Sequence, residues 1–322
     1  MVKRTQFKPY GISNSLSDPH GYSLAIHPVD NARVVPTGKK IVWHGTRAGV
    51  IDSDGRYVRK SGLERSLGFL TSSPDLSNLK SNDVIDEEVI FAGYIFDHYG
   101  HFLLESLARA WAYRSSKLRI VWASTSPLKA YQLEILSFLG VDKSRIIVPE
   151  RDMTFRRVYV PTPGYIVNAW FHFHHAAQIA FSNPTHESRK VYLSREGFYS
   201  NVVNFKNEQI IEDELSRFGW TIIRPHEMST KDQIDLFSSR STIAGIEGSA
   251  FHTAILCENT QAKHIMIRRS KPNLNFDTIA SAIGFGKFGV DGRISDEDKG
   301  VKEVCISDAK EVAVEIMDLA AN

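Results

Sequence analysis

Acid–base side chains recur at helical spacing between Asp97 and Arg109. His101, Glu105 and Arg109 are four residues apart, so they share one face of a helix. A polar stripe on an otherwise apolar helix is costly to bury without partners, so it forms either a structural network or a site. Asp97 and His98, at the end of the preceding apolar stretch, favour a site. A histidine or carboxylate in such a group can take a proton from a hydroxyl.

A single arginine, Arg195, follows the short apolar run from Val191 to Leu193. We predict a buried strand over Val191–Ser194, which places the arginine at the strand's carboxyl end. The fixed charge and the forked N–H donors of a guanidinium match a diphosphate. A salt bridge to a neighbouring helix is the structural alternative.

A turn of small residues follows a further apolar run in the C-terminal half. Gly245, Glu247, Gly248, Ser249 and Ala250 mark the point where we predict that a strand ends and a helix begins. Backbone N–H groups at such a helix start bind phosphate, and glycine permits close approach. The spacing is not that of a dinucleotide-binding fingerprint. Glu247 would lie where a ribose hydroxyl is bound, although a tight connection without a ligand is common.

These residues need a scaffold of alternating strands and helices. Short apolar strands alternate with helices from Glu88, and a second alternating series begins at Lys190 after a break at Pro163. This alternation is typical of parallel α/β sheets. We therefore predict two Rossmann-like α/β domains, residues 1–165 and 166–322, that face each other across a cleft. The predicted helices include Gly100–Ser115, Trp170–Phe181, Asn207–Phe218, Ser229–Ser239 and Ser249–Glu258, and Ser61–Asn82 is predicted as a loop.

Composition excludes several classes of protein. The chain has 322 residues and a formal net charge of +2, so no global basic field for nucleic acid exists. Two cysteines, Cys257 and Cys305, give no disulfide framework and favour a reducing compartment. The N-terminus lacks the apolar core of a signal peptide. No apolar run reaches the ~20 residues that span a bilayer. We expect a cytoplasmic protein, at most peripherally associated with the inner face of the membrane.

No metal site is predicted. The triplet Asp52-Ser53-Asp54 resembles a metal-binding Asp-x-Asp but lies in a predicted hairpin turn, where aspartate is common. His172, His174 and His175 alternate with aromatic residues and lack a nearby Cys or carboxylate cluster.

In their order and spacing, these segments resemble glycosyltransferase family 61. The N-terminal hallmark of that family, aromatic-x-His-aromatic-Leu-x-Glu-x-Leu-x-Arg, matches Tyr99 to Arg109. The C-terminal hallmarks match Ser194-Arg195, Asn207-Glu208, Gln233 to Phe237 and Gly245 to Ala250. The resemblance spans about Glu88 to Ile283.

The resemblance implies a GT-B fold, a nucleotide-sugar donor, an inverting reaction and no required metal or other cofactor. By carry-over, Arg195 and the turn from Gly245 to Ala250 bind the donor on the C-terminal domain. His101, Glu105 and Arg109 lie on the N-terminal, acceptor-side domain.

Two departures from the family pattern concern the donor site. The family places a second arginine between its Ser-Arg and Asn-Glu hallmarks, and this chain has none there. Charge neutralisation then falls on Arg195 with Lys206, or with Arg268 and Arg269. The histidine of the family's glycine turn is Glu247 here, and a carboxylate beside a diphosphate is unfavourable unless it points at the ribose or base.

The leading hypothesis is an inverting glycosyltransferase of capsule, lipopolysaccharide or related glycan synthesis, with a UDP-sugar as the expected donor and a glycan or glycolipid as acceptor. The base is one of Asp97, His98, His101 or Glu105. The alternatives are a sugar-nucleotide epimerase or phosphorylase of the same architecture, and an inactive nucleotide- or glycan-binding scaffold.

Overall fold

The structure is a computed structural model that describes residues 23–38, 41, 45–66, 68–79, 84–181, 186–197, 204–258, 261–269, 273–284, 286–295 and 303–321. It is a mixed α/β fold with parallel sheets and eight α-helices in these ranges. Two compact units divide the chain, one of Met1–Ile179 with Asp277–Ala282 and one of Ala180–Phe276 with Ile283–Asn322. The division into domains 1–165 and 166–322 stays a prediction.

The first unit contains twelve strands in its described part. They are β1 (Ile26–Val35), β2 (Thr46–Arg47), β3 (Gly49–Ile51), β4 (Glu64–Arg65), β5 (Gly68–Phe69), β6 (Thr71–Ser72), β7 (Val84–Gly93), β8 (Arg119–Trp122), β9 (Ile146–Ile147), β10 (Met153–Pro161), β11 (Tyr165–Ile166) and β12 (Trp170–Phe171). Its α-helices are α1 (Tyr99–Leu104), α2 (Ala110–Tyr113), α3 (Ala130–Phe138) and α4 (Phe173–Ile179). Short 3-10 helices cover Arg59–Ser61, Leu76–Asn78, Ser106–Arg109 and Lys143–Arg145.

Its main sheet is mixed rather than wholly parallel. The strand order is β3-β1-β10-β7-β8-β9, in which β10, β7, β8 and β9 run parallel and β1 is antiparallel to both β10 and β3. Strand β7 is central, and its run from Val89 to Gly93 is buried on both faces. Apolar residues without alternation are expected of such a strand.

Two helix predictions in this unit need correction. The helix predicted over Gly100–Ser115 is broken into α1, the 3-10 helix Ser106–Arg109 and α2. The break occurs where Ser106 Oγ accepts a hydrogen bond from the Phe96 N–H at 3.0 Å, a side-chain bond outside the helix. The helix predicted over Trp170–Phe181 starts only at Phe173, because Trp170 and Phe171 form β12 and pair with β11.

The second unit contains eight strands in its described part. They are β13 (Lys190–Leu193), β14 (Asn204–Lys206), β15 (Thr221–Ile223), β16 (Thr242–Ile246), β17 (Lys263–Arg268), β18 (Gly286–Asp291), β19 (Ile294–Ser295) and β20 (Glu303–Ile306). The α-helices assigned wholly or partly to it are α5 (Glu208–Arg217), α6 (Thr230–Phe237), α7 (Leu274–Ile283) and α8 (Ala309–Ala321). Its 3-10 helices are Pro225–Glu227 and Ser249–Leu256.

The main sheet of this unit is wholly parallel, with strand order β15-β13-β16-β17-β18. The chain leaves β13 towards β15 on one side and leaves β16 towards β17 on the other. The pair β13 and β16 is therefore the switch point of a doubly wound sheet. Ligands of such sheets bind beyond the carboxyl ends of the two switch-point strands.

Side chains of β17 show that both faces of this sheet are buried. Ile265 and Ile267 join the core that also contains residues of α5 and α8. His264, which directly precedes Ile265, lies on the other face against the rings of Phe237 and Phe251, with centroid distances of 5.4 and 5.9 Å. Burial lowers the pKa of His264 to about 3, so this histidine is a neutral core residue near pH 7.

A buried arginine ties together separate segments of the first unit. Arg109 is 2% exposed, and its Nε donates to the Pro161 carbonyl at 2.9 Å. Its Nη2 donates to the carbonyls of Lys60 and Gly62 at 3.1 and 3.2 Å. Gly93, at φ +100°, leaves room for the guanidinium, since a Cβ there would lie 2.9 Å from Nη1. Burial lowers the pKa of Arg109 to about 10, so the side chain stays charged.

We predict that Arg109→Ala lowers the free energy of unfolding by about 3 kcal/mol or more, because three carbonyls, two of them buried, lose their donor. Urea unfolding followed by intrinsic fluorescence measures the change. The control is Arg119→Ala in β8, whose half-exposed side chain pairs with Glu87 at 3.2 Å. That variant should stay within about 0.5 kcal/mol of the wild type. Equal losses in the two variants would contradict the structural role of Arg109.

Candidate active site

An ion-paired carboxylate supports a histidine beyond the carboxyl end of β7. His101 Nδ1 lies 2.6 Å from Glu105 Oε2 across one helical turn. Arg65 donates to both oxygens of Glu105, from Nε and Nη2, at 2.8 Å each. The Glu105 side chain is 2% exposed and that of His101 is 43% exposed. Arg109, predicted on the same helical face, instead points to the buried carbonyls described above.

This arrangement defines the chemistry open to His101. A carboxylate at Nδ1 favours the tautomer in which Nδ1 carries the proton, which leaves Nε2 as the acceptor of the neutral ring. Arg65 holds Glu105 with two parallel hydrogen bonds, and so fixes the orientation of its carboxylate. A half-exposed imidazole oriented in this way is suited to general-base catalysis.

The other two predicted acid–base residues lie beside this pair. The rings of His98 and Phe96 lie 5.1 and 5.5 Å from the His101 ring, measured between centroids. Asp97 is exposed, and its carboxylate lies 3.6 Å from Lys129 Nζ. The structure thus joins His101 and Glu105 by a hydrogen bond between a half-exposed imidazole and a buried carboxylate.

Arg65 was missed by the sequence analysis because Ser61–Asn82 was predicted as a loop. In the structure Arg65 belongs to β4, which pairs antiparallel with β5. It is separated from Glu105 by 40 residues. No periodicity connects the two positions, so only the fold brings them together.

In the second unit, a cation and the glycine turn come together at the switch point. Arg195 is half-buried just beyond β13, and Gly248 follows β16. A Cβ added to Gly248 would lie 3.4 Å from Arg195 Nη1. The guanidinium carbon lies 5.1 Å from the centre of the buried Phe205 ring. The turn and the charge therefore form one surface beyond the carboxyl ends of β13 and β16.

The first two members of the predicted turn are buried. Gly245 lies within β16, where a Cβ would be 3.0 Å from the Leu193 carbonyl oxygen. This glycine therefore allows β16 to pack closely against β13. Glu247 is 5% exposed, and its N–H donates to the Ile267 carbonyl at 3.0 Å.

The last three members, Gly248, Ser249 and Ala250, are partly exposed. The helix that starts at Ser249 is a 3-10 helix ending at Leu256, where the sequence predicted an α-helix over Ser249–Glu258. Gly248 has an extended backbone before this helix. Unpaired N–H groups at the start of a helical segment remain the feature that suits an anion.

Two buried carboxylates support the Arg195 segment from α5. Glu208 Oε1 accepts hydrogen bonds from the Tyr192 hydroxyl at 3.1 Å and from the Arg195 N–H at 3.2 Å. Burial raises the pKa of Glu208 to about 7, with the neighbouring Glu212 adding to the effect and the Arg195 N–H opposing it. Burial also raises the pKa of Glu212, one turn further along the helix.

In the ranges that the structure describes, no group of three or more His, Cys, Asp or Glu side chains is placed so that it could hold a metal ion. Asp52 Oδ1 accepts hydrogen bonds from the N–H groups of Asp54 and Arg56, which closes a turn.

Across the ranges that the structure describes, no helix is both long and apolar enough to cross a membrane.

We predict that Glu208→Gln changes the pH dependence of stability. The carboxyl has a pKa near 4.5 when unfolded and about 7 when folded, so the folded state binds its proton more tightly. The contribution of Glu208 to the wild-type free energy of unfolding therefore falls as the pH rises from 4.5 to 7, and it stays constant above pH 7. The free energy of unfolding of the glutamine variant, relative to that of the wild type, should therefore rise by on the order of 3 kcal/mol between pH 4.5 and 8.

Urea unfolding of both proteins at several pH values in this range tests the prediction. Asp213→Asn, at an exposed position of the same helix, is the control for the loss of one negative charge. A Glu208→Gln difference that is flat with pH, like that expected of the control, would show that Glu208 has no raised pKa.

Comparison with known protein families places these residues in context. A family model described as Glycosyltransferase 61 matches residues 99–263, just over half of the chain. The matched range includes His101 and Glu105 from the first unit and Arg195 and Gly248 from the second. No curated protein is similar enough to count as a match. The chain therefore belongs to glycosyltransferase family 61, and it is a glycosyltransferase that acts on a sugar donor and an acceptor.

Proposed function

We propose that this enzyme transfers a sugar from a nucleotide-sugar donor, a UDP-sugar in the first instance, to a hydroxyl of a glycan or glycolipid with inversion at the anomeric carbon. The observation that carries the proposal is the meeting of Arg195 and Gly248 at the switch point of a doubly wound parallel sheet. Nucleotides and other phosphorylated ligands bind at such switch points. As in a GT-B enzyme, the second unit would bind the donor nucleotide, and the first unit would supply the base that deprotonates the acceptor.

The donor's leaving group is a diphosphate, and its negative charge increases as the bond to the sugar breaks. Arg195 supplies a fixed positive charge with a fork of donors. The N–H groups at Ser249 and Ala250 supply further donors that need no reorganisation during the reaction. In this proposal Arg195 carries the charge-neutralising role, and no metal ion is required.

His101 acts as the general base in this mechanism. The acceptor oxygen forms a bond to the anomeric carbon while the bond from that carbon to the diphosphate oxygen breaks with its electron pair. The hydroxyl proton passes to His101 Nε2, and the resulting imidazolium is stabilised by Glu105 at Nδ1. Arg65 keeps Glu105 oriented throughout by its two hydrogen bonds. One displacement inverts the configuration of the sugar.

The acceptor belongs, in our proposal, to capsule, lipopolysaccharide or a related polysaccharide. This assignment rests on the resemblance to glycosyltransferase family 61. A peripheral position at the inner face of the membrane would bring the enzyme to a lipid-linked acceptor.

Thermal unfolding with UDP, GDP and CMP in turn tests the donor site. A nucleotide at about 100 times its Kd should raise the wild-type Tm by about 5 °C or more. Arg195→Ala should reduce that rise to within about 1 °C. Arg217→Ala, which removes an exposed positive charge paired with Glu214 at the far end of α5, should keep the full rise. No rise with any nucleotide in the wild type would rule out the proposed donor site.

We predict that His101→Ala lowers kcat about 10²- to 10⁴-fold, because the acceptor proton loses its base. Binding of the nucleotide identified above should be unchanged. His98→Ala, which removes the neighbouring ring only, should lower kcat less than about tenfold. Transfer and donor hydrolysis are measured together, with the anomeric configuration of the product read by NMR.

Two outcomes would contradict the assignment. Near-wild-type transfer by His101→Ala would mean that another group takes the proton. Isomerisation of the nucleotide sugar without any acceptor would instead identify the alternative epimerase activity.

A further inference from the structure

A second arginine lies near the Arg195 site on a neighbouring strand end. Arg269 directly follows β17, and its guanidinium carbon lies 5.8 Å from the centre of the Phe205 ring. The guanidinium carbon of Arg195 lies 5.1 Å from the same ring centre. The two guanidinium carbons are therefore no more than about 11 Å apart.

The topology explains why these residues converge. Strands β13, β16 and β17 are adjacent and parallel, so their carboxyl ends share one edge of the sheet. Arg195, Gly248 and Arg269 follow these three strands in that spatial order. The glycine turn thus comes off the strand that lies between the two arginine-bearing strands.

Phe205 is a rigid support for both cations. It is 8% exposed and belongs to the core of the second unit. A guanidinium near an aromatic ring at these distances is held by a cation–π interaction. Holding both side chains before the ligand arrives reduces the conformational entropy lost on binding.

The other basic residues near this edge are placed differently. The Arg268 side chain lies across Gly289 of β18, where a Cβ would be 2.1 Å from its Nε. Lys206 is exposed on β14. Arg269 lies outside residues 99–263, so the family match does not assign it a role.

We propose that Arg269 is the second phosphate-binding cation of the donor site, and that Arg195 and Arg269 together select a diphosphate over a monophosphate. This inference rests on the proposed function. A diphosphate has two phosphoryl groups, and guanidinium groups bind phosphate through paired N–H donors. Two guanidiniums within the observed span can each engage one phosphoryl group, whereas a monophosphate can use only one of them fully.

Isothermal titration of the whole protein with UDP and UMP, GDP and GMP, and CDP and CMP tests the inference, with inorganic pyrophosphate and orthophosphate as base-free probes. For the pair that the wild type binds, Arg269→Ala should weaken the diphosphate about 10- to 100-fold. It should weaken the monophosphate less than about threefold, because one cation suffices there. Arg269→Lys, which keeps the charge without the fork, should fall between these values.

The controls separate this inference from the proposed function. Arg217→Ala should leave both affinities unchanged, since it removes one positive charge at a distant, exposed position. A diphosphate affinity that falls in Arg195→Ala and stays at wild type in Arg269→Ala would overturn the role of Arg269 and leave the donor site intact. Equal weakening of diphosphate and monophosphate in Arg269→Ala would overturn the selectivity. No binding of any probe by the wild type would overturn both proposals.

Discussion

The parallel pairing of β13 with β16 is the constraint on which the second unit depends. Leu193 and Gly245 are register partners, and the two strands approach so closely that a Cβ at Gly245 would lie 3.0 Å from the Leu193 carbonyl oxygen, a tight contact that glycine avoids. This close approach sets the positions of both strand ends. Arg195 and Gly248 are distant in sequence. Arg195 lies two residues beyond Leu193, and Gly248 lies three residues beyond Gly245, the register partner of Leu193. Their meeting is therefore a consequence of strand register.

Most helices and strands of this unit could be predicted because they carry a local signal, whereas β14, β18 and β19 are absent from the prediction. Buried strands read as short apolar runs, and Glu208–Arg217 shows an amphipathic pattern. The predicted start of α6 is confirmed, since Ser229 Oγ accepts from the Asp232 N–H at 3.1 Å. The predicted helix after Gly248 has a start close to that of the structure but differs in type. Helical type depends on how the segment packs, which the residue pattern does not encode.

Helical spacing predicted one contact of the acid–base group and misplaced another. The four-residue interval between His101 and Glu105 gives the 2.6 Å contact. The same interval between Glu105 and Arg109 gives none, because the α-helix ends at Leu104 and Arg109 turns to buried carbonyls. Both intervals look alike in the sequence. The two intervals differ because carbonyl oxygens that accept hydrogen bonds surround Arg109, and these carbonyls belong to segments distant in the sequence.

Two arginines near the candidate sites come from positions distant in the sequence. Arg65 reaches Glu105 from a two-residue strand, and Arg269 follows the strand beyond β16. Both lie outside the matched range of the family. The family match therefore predicts neither contact.

A buried carboxylate so close to a proposed anion site requires an explanation, because negative charge near a diphosphate is unfavourable. Glu208 accepts a hydrogen bond from the Arg195 N–H, which fixes the backbone beneath the guanidinium. Its pKa, raised by burial to about 7, means that the carboxyl is partly protonated at neutral pH. A protonated Glu208 still accepts at its carbonyl oxygen while contributing no charge. Binding of a diphosphate would favour the neutral form of Glu208 further. Glu208 can therefore order the Arg195 segment without competing with the diphosphate for the positive charge of Arg195.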